Sequence, residues 1–202
     1  AKYCKMAADA GDVFRQFNYG SKLRFGDGVQ QNMNQSIEYF KKAADQGFSF
    51  AIIALSNIYL KGEGVEVNKE EASKYLKIAA DHGHVESMYE YGKMLLKGEG
   101  IPNDESSALK YLKPIAEKGH PGGMLLYGEM LDKGKGIEID KKEAAKYYKM
   151  SADQGNKKAM LKYAKMLKNG EGVEPNEIER QKYIDMAFTK TVEPPSIECS
   201  IC

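Results

Sequence analysis

The chain has 202 residues, and its 30 Lys and Arg residues nearly balance 29 Asp and Glu residues, which gives a net charge of +1. General nucleic-acid binders use a broad excess of positive charge, so nucleic acid is not a predicted partner. The longest aliphatic run, residues 51–55, is far shorter than the roughly 18 to 20 residues of a membrane helix, and we expect no membrane span. Glycine, with 20 residues, is more frequent than in a typical globular protein.

The sequence opens inside a predicted helix that ends with Ala-Ala-Asp-Ala-Gly at Gly11. Related endings recur every 36 residues, without insertion or deletion, at Gly47, Gly83, Gly119 and Gly155. A fixed period of this size is typical of repeat proteins. We therefore interpret residues 1–11 as the end of a preceding repeat, its helix B, and expect the chain to be a fragment of a longer protein.

Each later unit predicts two helices, A and B. In the second unit Ala51, Leu55 and Tyr59 lie on one apolar face of helix A. Helix A is predicted to end at the first glycine of a Gly-x-Gly loop, which starts at Gly26, Gly62, Gly98, Gly134 and Gly170. Helix B is predicted to begin after a side chain that can cap it, at Asn32, Asn68, Asp104, Asp140 and Asn176.

A short helix pair cannot bury both of its apolar faces alone, so each pair must stack on the next. Small residues that permit close helix approach recur at Gly20, Ser56, Gly92, Gly128 and Ala164. The predicted fold class is all-α, a right-handed α–α solenoid of about five 36-residue helix pairs. The predicted repeats are residues 12–47, 48–83, 84–119, 120–155 and 156–189, followed by a flexible tail at 190–202.

Two positions depart from the period. Pro114 lies inside the third helix B, where it lacks an amide for hydrogen bonding and should kink the helix. The fifth helix B carries Arg180 where three other units have alanine, and Asp185 where they have lysine. We interpret this fifth repeat as a degenerate terminal cap.

These marks together resemble the Sel-1-like repeats, relatives of the tetratricopeptide repeat. The resemblance rests on five features: Tyr91-Gly92, the loop at residues 97–101, the cap Asp104, the pair Ala108 and Tyr111, and the closing Ala-Ala-x-x-Gly at residues 79–83. It implies an adaptor that holds proteins together in complexes. A secreted bacterial branch of this family pairs two cysteines in each repeat. Only Cys4 lies within the repeats here, which argues against that branch and favours a reducing compartment such as the cytoplasm.

No catalytic centre is evident, so the sequence predicts neither an enzyme nor a cofactor. The Gly-x-Gly loops follow helices rather than strands, and their middle residue is acidic in four of five copies, which would repel a phosphate. The three histidines, His82, His84 and His120, lack a nearby cysteine or a recognisable nucleophile, and we interpret them as surface turn residues.

The end of the sequence leaves three interpretations open. Cys199 and Cys202 have the spacing of half a zinc site and resemble the opening of a RING finger. The repeats would then be the substrate-recruiting region of a ubiquitin ligase. Alternatively, Cys199 is a prenylation site, or the two cysteines are incidental. A regulatory repeat region of an enzyme truncated at its N-terminus is a further alternative.

Three variable positions of helix A share one helical face, because they are spaced i, i+4 and i+7. Positions that stay the same among the repeats build the solenoid, and positions that vary are free to contact a partner. Helix A lines the concave side in related solenoids. The variable face of helix A is therefore the predicted groove. It changes from aromatic and neutral residues through mixed charge to a basic end. We expect a peptide or helix from another protein, with an apolar anchor and an acidic end; a plain solvated face is the alternative. The predicted partner-binding residues are Phe14, Asn18, Phe50, Asn57, Glu86, Glu90, Lys93, Leu126, Glu129, Lys158, Lys162 and Lys165.

Overall fold

The computed structural model of the protein describes residues 2–189. Within that range it contains eleven α-helices and no strand, and the predicted all-α repeat architecture is confirmed. The helices are α1 (Lys2–Asp9), α2 (Val13–Phe25), α3 (Met33–Asp45), α4 (Ser49–Lys61), α5 (Lys69–Asp81), α6 (Val85–Lys97), α7 (Glu105–Glu117), α8 (Pro121–Lys133), α9 (Lys141–Asp153), α10 (Lys157–Asn169) and α11 (Glu177–Phe188).

Even-numbered helices are the predicted A helices, and odd-numbered helices are the B helices. The chain divides into two compact units, Ala1–Ile115 and Ala116–Cys202. Within the first unit, each helix from α1 to α5 packs against the next one, and in the second unit each helix from α8 to α10 does so. Helix α7 continues through Pro114, so the proline does not end the helix, and the kink remains a prediction.

Local chemistry fixes the helix ends as expected. The side chains that precede the B helices accept the backbone amide three residues later at 2.9–3.0 Å, at Asn32, Asn68, Asp104, Asp140 and Asn176. The glycine after each A helix adopts a left-handed conformation, with φ of 70° at Gly62. This conformation is accessible to glycine without the steric cost that a Cβ atom imposes.

Glycine on helix A permits close contact with helix B of the same pair. A Cβ atom on Gly92 would lie 2.6 Å from the side chain of Leu112, and one on Gly128 would lie 3.0 Å from the ring of Tyr148. Both distances are too short for a normal carbon contact. The predicted close approach is therefore present in these pairs.

Tyrosines join the helices both within and between repeats. A tyrosine of helix A meets one of helix B edge to face, with ring centroids 5.0 Å apart for Tyr19 and Tyr39. The hydroxyl of Tyr39 also donates to Asp9 of α1 at 2.5 Å. Burial, together with this hydrogen bond, raises the pKa of Tyr39 to about 12. Equivalent bonds, also between residues 30 apart, join Tyr111 to Asp81 and Tyr183 to Asp153.

The last helix, α11, differs from the other B helices at positions where those pack on a following helix. Phe188 is 72% exposed where Ala80 and Ala152 are buried, and Gln181 is exposed where Ala145 is buried. A bulky ring at a position of close packing would obstruct a further helix pair of the same kind. The interpretation of the fifth repeat as a cap remains a prediction.

Candidate functional site

The predicted partner-binding residues of the first unit lie on three A helices, α2, α4 and α6. Between α4 and α6 is a cavity of about 350 Å³ whose lining includes Asn57, Glu86, Glu90 and Lys93. Four side chains that the sequence separates by up to one repeat are therefore brought together around one groove. The groove lies between successive A helices, as the spacing of the variable positions indicates.

The lining of this groove has mixed charge. Lys93 forms an ion pair with Glu90 on the same helix. At the edge of the groove, the ammonium group of Lys69 lies 2.7 Å from a carboxylate oxygen of Glu99. Positive and negative groups alternate over a short distance, which matches the mixed charge expected for this part of the surface.

Aromatic rings cover the neighbouring surface on α2 and α4. We call Phe14, Phe17, Phe48 and Phe50 the phenylalanine patch. The centroid of the Phe48 ring is 5.2 Å from that of Phe17, 5.6 Å from that of Phe50 and 6.3 Å from that of Phe14. Phe14 is 55% exposed and Phe50 is 66% exposed. The sequence predicted Phe14 and Phe50 as site residues and missed Phe17 and Phe48, which support them.

In the second unit, α8 carries Leu126 and Glu129, and α10 carries Lys158, Lys162 and Lys165. The ammonium group of Lys162 lies 3.3 Å from a carboxylate oxygen of Glu129, so this lysine bridges two A helices. Lys158 and Lys165 are exposed, whereas Leu126 is half-buried. The expected basic end is therefore partly neutralised, because one of its three lysines is paired within the protein.

Acidic residues of the Gly-x-Gly loops are used in ion pairs. Glu63 pairs with Arg24, and the ammonium group of Lys141 lies 3.1 Å from a carboxylate oxygen of Glu171. Each of these pairs links a loop to the repeat before it. Carboxylates held in this way support a turn and an ion pair rather than a phosphate site.

Two of the three histidines cap A helices, a role that sequence reasoning missed. Nδ1 of His84 accepts the amide of Ser87 at 3.2 Å, and Nδ1 of His120 accepts that of Gly123 at 3.0 Å. Asp12 and Asn156 occupy the same repeat position and also cap their helices, which was the available signal. Residues 2–189 contain no group of three or more His, Cys, Asp or Glu side chains that could hold a metal ion. Cys199 and Cys202 lie outside the described residues.

Comparison with protein families assigns the repeats. The model of the Sel1 repeat matches five times, at residues 16–48, 49–84, 85–120, 121–156 and 157–179. The chain belongs to the Sel1 repeat family. The predicted resemblance is thus confirmed, and so is the predicted all-α repeat solenoid.

Solved Sel1 repeat structures share this fold. A protective antigen from uropathogenic Escherichia coli, described as displaying an SLR fold, is 27% identical with a TM-score of 0.78. The match covers 92% of this chain but only 40% of that antigen's length. A Sel1 repeat protein from Oxalobacter formigenes is 27% identical with a TM-score of 0.77, covering 88% of this chain and 73% of that one. No curated protein matches the sequence significantly.

Sel1 repeats are commonly protein-interaction scaffolds and typically have no catalytic role. No helix among residues 2–189 is long and apolar enough to span a membrane. Another surface of this Sel1 repeat chain, which the sequence did not predict, lies on α11. There Ile178 and Met186 contribute to an open apolar surface, and Ile178 is 87% exposed.

Proposed function

We propose that this Sel1 repeat protein is a non-enzymatic adaptor that binds a peptide or helix of another protein on the variable face of its A helices. The groove between α4 and α6 carries the proposal, since four residues that vary among the repeats line it together. Positions that build the repeat stay constant, and positions that vary are free to contact a partner. A groove with both apolar and charged lining suits a protein segment.

The second unit offers a separate contact region on α8 and α10. Lys158 and Lys165 present positive charge to solvent, and Lys162 is held near Glu129. An acidic segment would gain favourable interactions with Lys158 and Lys165. Each unit thus supplies its own binding surface, apolar and mixed in the first and basic in the second.

Photo-crosslinking tests this proposal. A photoreactive amino acid replaces Asn57 in the first unit or Lys165 in the second, and the full chain is exposed to a displayed library of random peptides. Both residues occupy the same repeat position on A helices, so the two sites are matched. We expect selected peptides to crosslink at one or both positions, because both belong to the proposed face.

The control positions are Lys74 and Lys146, which are exposed and occupy one repeat position on the B helices α5 and α9. Peptides should not crosslink there. Equal crosslinking at the B-helix positions, or none at Asn57 and Lys165, would show that the variable face of the A helices is not the binding surface.

A further inference from the structure

Two contacts between successive A helices share one spacing along the chain. Phe17 of α2 meets Phe50 of α4 with ring centroids 6.1 Å apart, and Glu129 of α8 lies 3.3 Å from Lys162 of α10. In both pairs the second residue follows the first by 33 positions. Because the repeat is regular, this spacing identifies which residues of an A helix face the A helix that follows it.

The groove between α4 and α6 has the same arrangement. Asn57 and Leu60 of α4 correspond in this spacing to Glu90 and Lys93 of α6, and all four residues line the groove. One wall of the groove therefore comes from each helix. We call the positions of Phe17, Asn57 and Leu60 in their repeats the wall positions, because they face the following A helix.

Helix α10 presents this wall with no A helix opposite it. Its wall positions hold Leu161, Lys165 and Lys168, and all three side chains are exposed. Among residues 2–189 no A helix follows α10. Leu161 is 44% exposed, whereas Leu125, its counterpart on α8, is 6% exposed where α10 follows. The open wall of α10 therefore has the arrangement that receives a helix elsewhere in the chain.

The charge of the open wall indicates what binds there. Lys165 and Lys168 occupy the positions that Glu129 and Asp132 occupy on α8, so the charge is reversed from acidic to basic. On α8, Glu129 faces the lysine of the following A helix with which it forms its ion pair. On α10, a facing carboxylate restores a pair of opposite charges.

Both lysines of the open wall are available to a ligand. Neither Lys165 nor Lys168 forms an ion pair or a side-chain hydrogen bond within residues 2–189. Lys165 interacts electrostatically with Glu171, whose carboxylate is already bonded to Lys141 and to the side-chain amide of Asn169. A second carboxylate can therefore approach the two ammonium groups without displacing an existing bond.

The spacing along α10 gives the arrangement of side chains on the ligand. Leu161, Lys165 and Lys168 are spaced i, i+4 and i+7, and a helix in the place of the next A helix presents its facing residues with the same spacing. We infer that the open wall of α10 binds a helix of a partner protein in which an apolar residue is followed by Asp or Glu four and seven residues later. This inference rests on the proposed adaptor function and adds the chemistry of the partner at the second unit.

Synthetic helical peptides with blocked ends test the inference by fluorescence anisotropy with the full chain. The matched peptide carries leucine, with glutamate four and seven residues after it, in an alanine and glutamine background. One control places the glutamates two and five residues after the leucine, on another face of the helix; a second has lysine for glutamate, and a third has alanine for leucine. We expect saturable binding of the matched peptide and roughly tenfold or greater weakening in each control.

Variants of the protein identify the site. Lys165→Glu with Lys168→Glu should reverse the preference from glutamate to lysine peptides, Lys165→Gln with Lys168→Gln should abolish the preference, and Leu161→Ser should weaken binding. Lys142→Glu with Lys146→Glu is the matched control, because it changes the charge equally at two exposed positions of the B helix α9. It should leave the preference unchanged, and the melting temperature of each variant verifies its fold.

Two results would remove the acidic helix as the partner. One is an unchanged preference for glutamate in the glutamate variants of Lys165 and Lys168, and the other is equal binding of the matched peptide and the peptide with displaced glutamates. Peptides that still crosslink at Asn57 would then leave the adaptor function standing. Absence of crosslinking at both Asn57 and Lys165 would contradict the adaptor function itself.

Other occupants of the open wall give different results, each of which would overturn the inference. Binding to vesicles that contain phosphatidylserine, with no peptide bound, would assign the wall to a lipid surface. Self-association in sedimentation velocity that Lys165→Glu with Lys168→Glu abolishes would assign it to a second copy of the chain. A crosslink from position 165 to residues 190–202 of the same chain would assign it to that segment.

Discussion

Repeats 2 and 4, at residues 48–83 and 120–155, follow the same plan with different side chains. In repeat 4, His120 caps helix A, Gly128 contacts Tyr148, and Tyr127 meets Tyr147 edge to face with centroids 4.9 Å apart. In repeat 2 the corresponding positions of helix A hold Phe48, Ser56 and Leu55. Tyr75 of repeat 2 instead stacks on Tyr59, with the rings 6.1 Å apart and nearly parallel.

The comparison separates what the architecture requires from what it permits. Repeat 4 follows the capping and packing rules and keeps its aromatic rings buried. Repeat 2 keeps the helices but replaces the cap with a ring and leaves Phe50 exposed. Repeat 2 thus shares the backbone plan of repeat 4 and presents a different surface.

The largest expected effect is on the free energy of unfolding, and it differs between a buried ring and an exposed one. Tyr148 is fully buried, and Tyr148→Ala should lower the free energy of unfolding by about 3–5 kcal/mol, as for other large aromatic side chains. Phe50→Ser should change it by less than about 0.5 kcal/mol, because the ring is mostly exposed. Urea denaturation measures both. A loss of several kcal/mol in Phe50→Ser would make the exposed ring a structural requirement and end the contrast between the repeats.

A smaller effect comes from exchanging the close-packing residues. Gly128→Ser places a Cβ atom 3.0 Å from the buried ring of Tyr148 and should cost about 1–3 kcal/mol. Ser56→Ala, at the same position of repeat 2, loses only a hydrogen bond to the carbonyl of Ile53 and should cost less than about 1 kcal/mol. Thermal unfolding of the two variants tests this order. An unchanged melting temperature in Gly128→Ser would show that the two helices of repeat 4 can accommodate the larger side chain.

The smallest effect concerns Tyr111 of repeat 3, whose counterpart in repeat 2 is Tyr75. The hydroxyl of Tyr111, and then Lys77, lower the pKa of the Asp81 carboxyl. The charged carboxylate is thus favoured in the folded state, and the stability it adds is present above its ordinary pKa and is lost as pH falls through the lowered value. Tyr111→Phe should weaken this dependence of stability on pH.

Tyr75→Phe is the control for that prediction, because Tyr75 stacks on Tyr59. The urea midpoint, followed from neutral to acidic pH, should depend on pH in this variant as it does in the unmodified chain. An equal change in both variants would mean that the hydroxyl of Tyr111 has no particular effect on Asp81.

Most of the fold could be predicted because its signals are local and repeated. Gly62 after a helix and Asn68 before one each act on neighbouring backbone groups, so the sequence alone places them correctly. The recurrence of each signal after 36 residues removes the ambiguity of a single occurrence. Helix type, length and order follow from these local interactions.

Contacts between distant residues could not be predicted in the same way. The ion pair between Lys162 and Glu129 depends on how far these two side chains reach from their helices towards each other. Phe17 and Phe48 also escaped prediction, since their contribution depends on ring positions in space. The capping histidines were missed because Phe48 interrupts an otherwise polar position in the repeat.

The hydrogen bonds from tyrosine to aspartate also define how the chain is best divided. Each joins two successive B helices, α1 to α3, α5 to α7 and α9 to α11, across the A helix between them. A fragment cut at the sequence period, as one A and one B helix, loses the acceptor of its tyrosine. The smallest segment that preserves this bond is a triplet of B, A and B helices, which begins half a repeat before the unit of sequence.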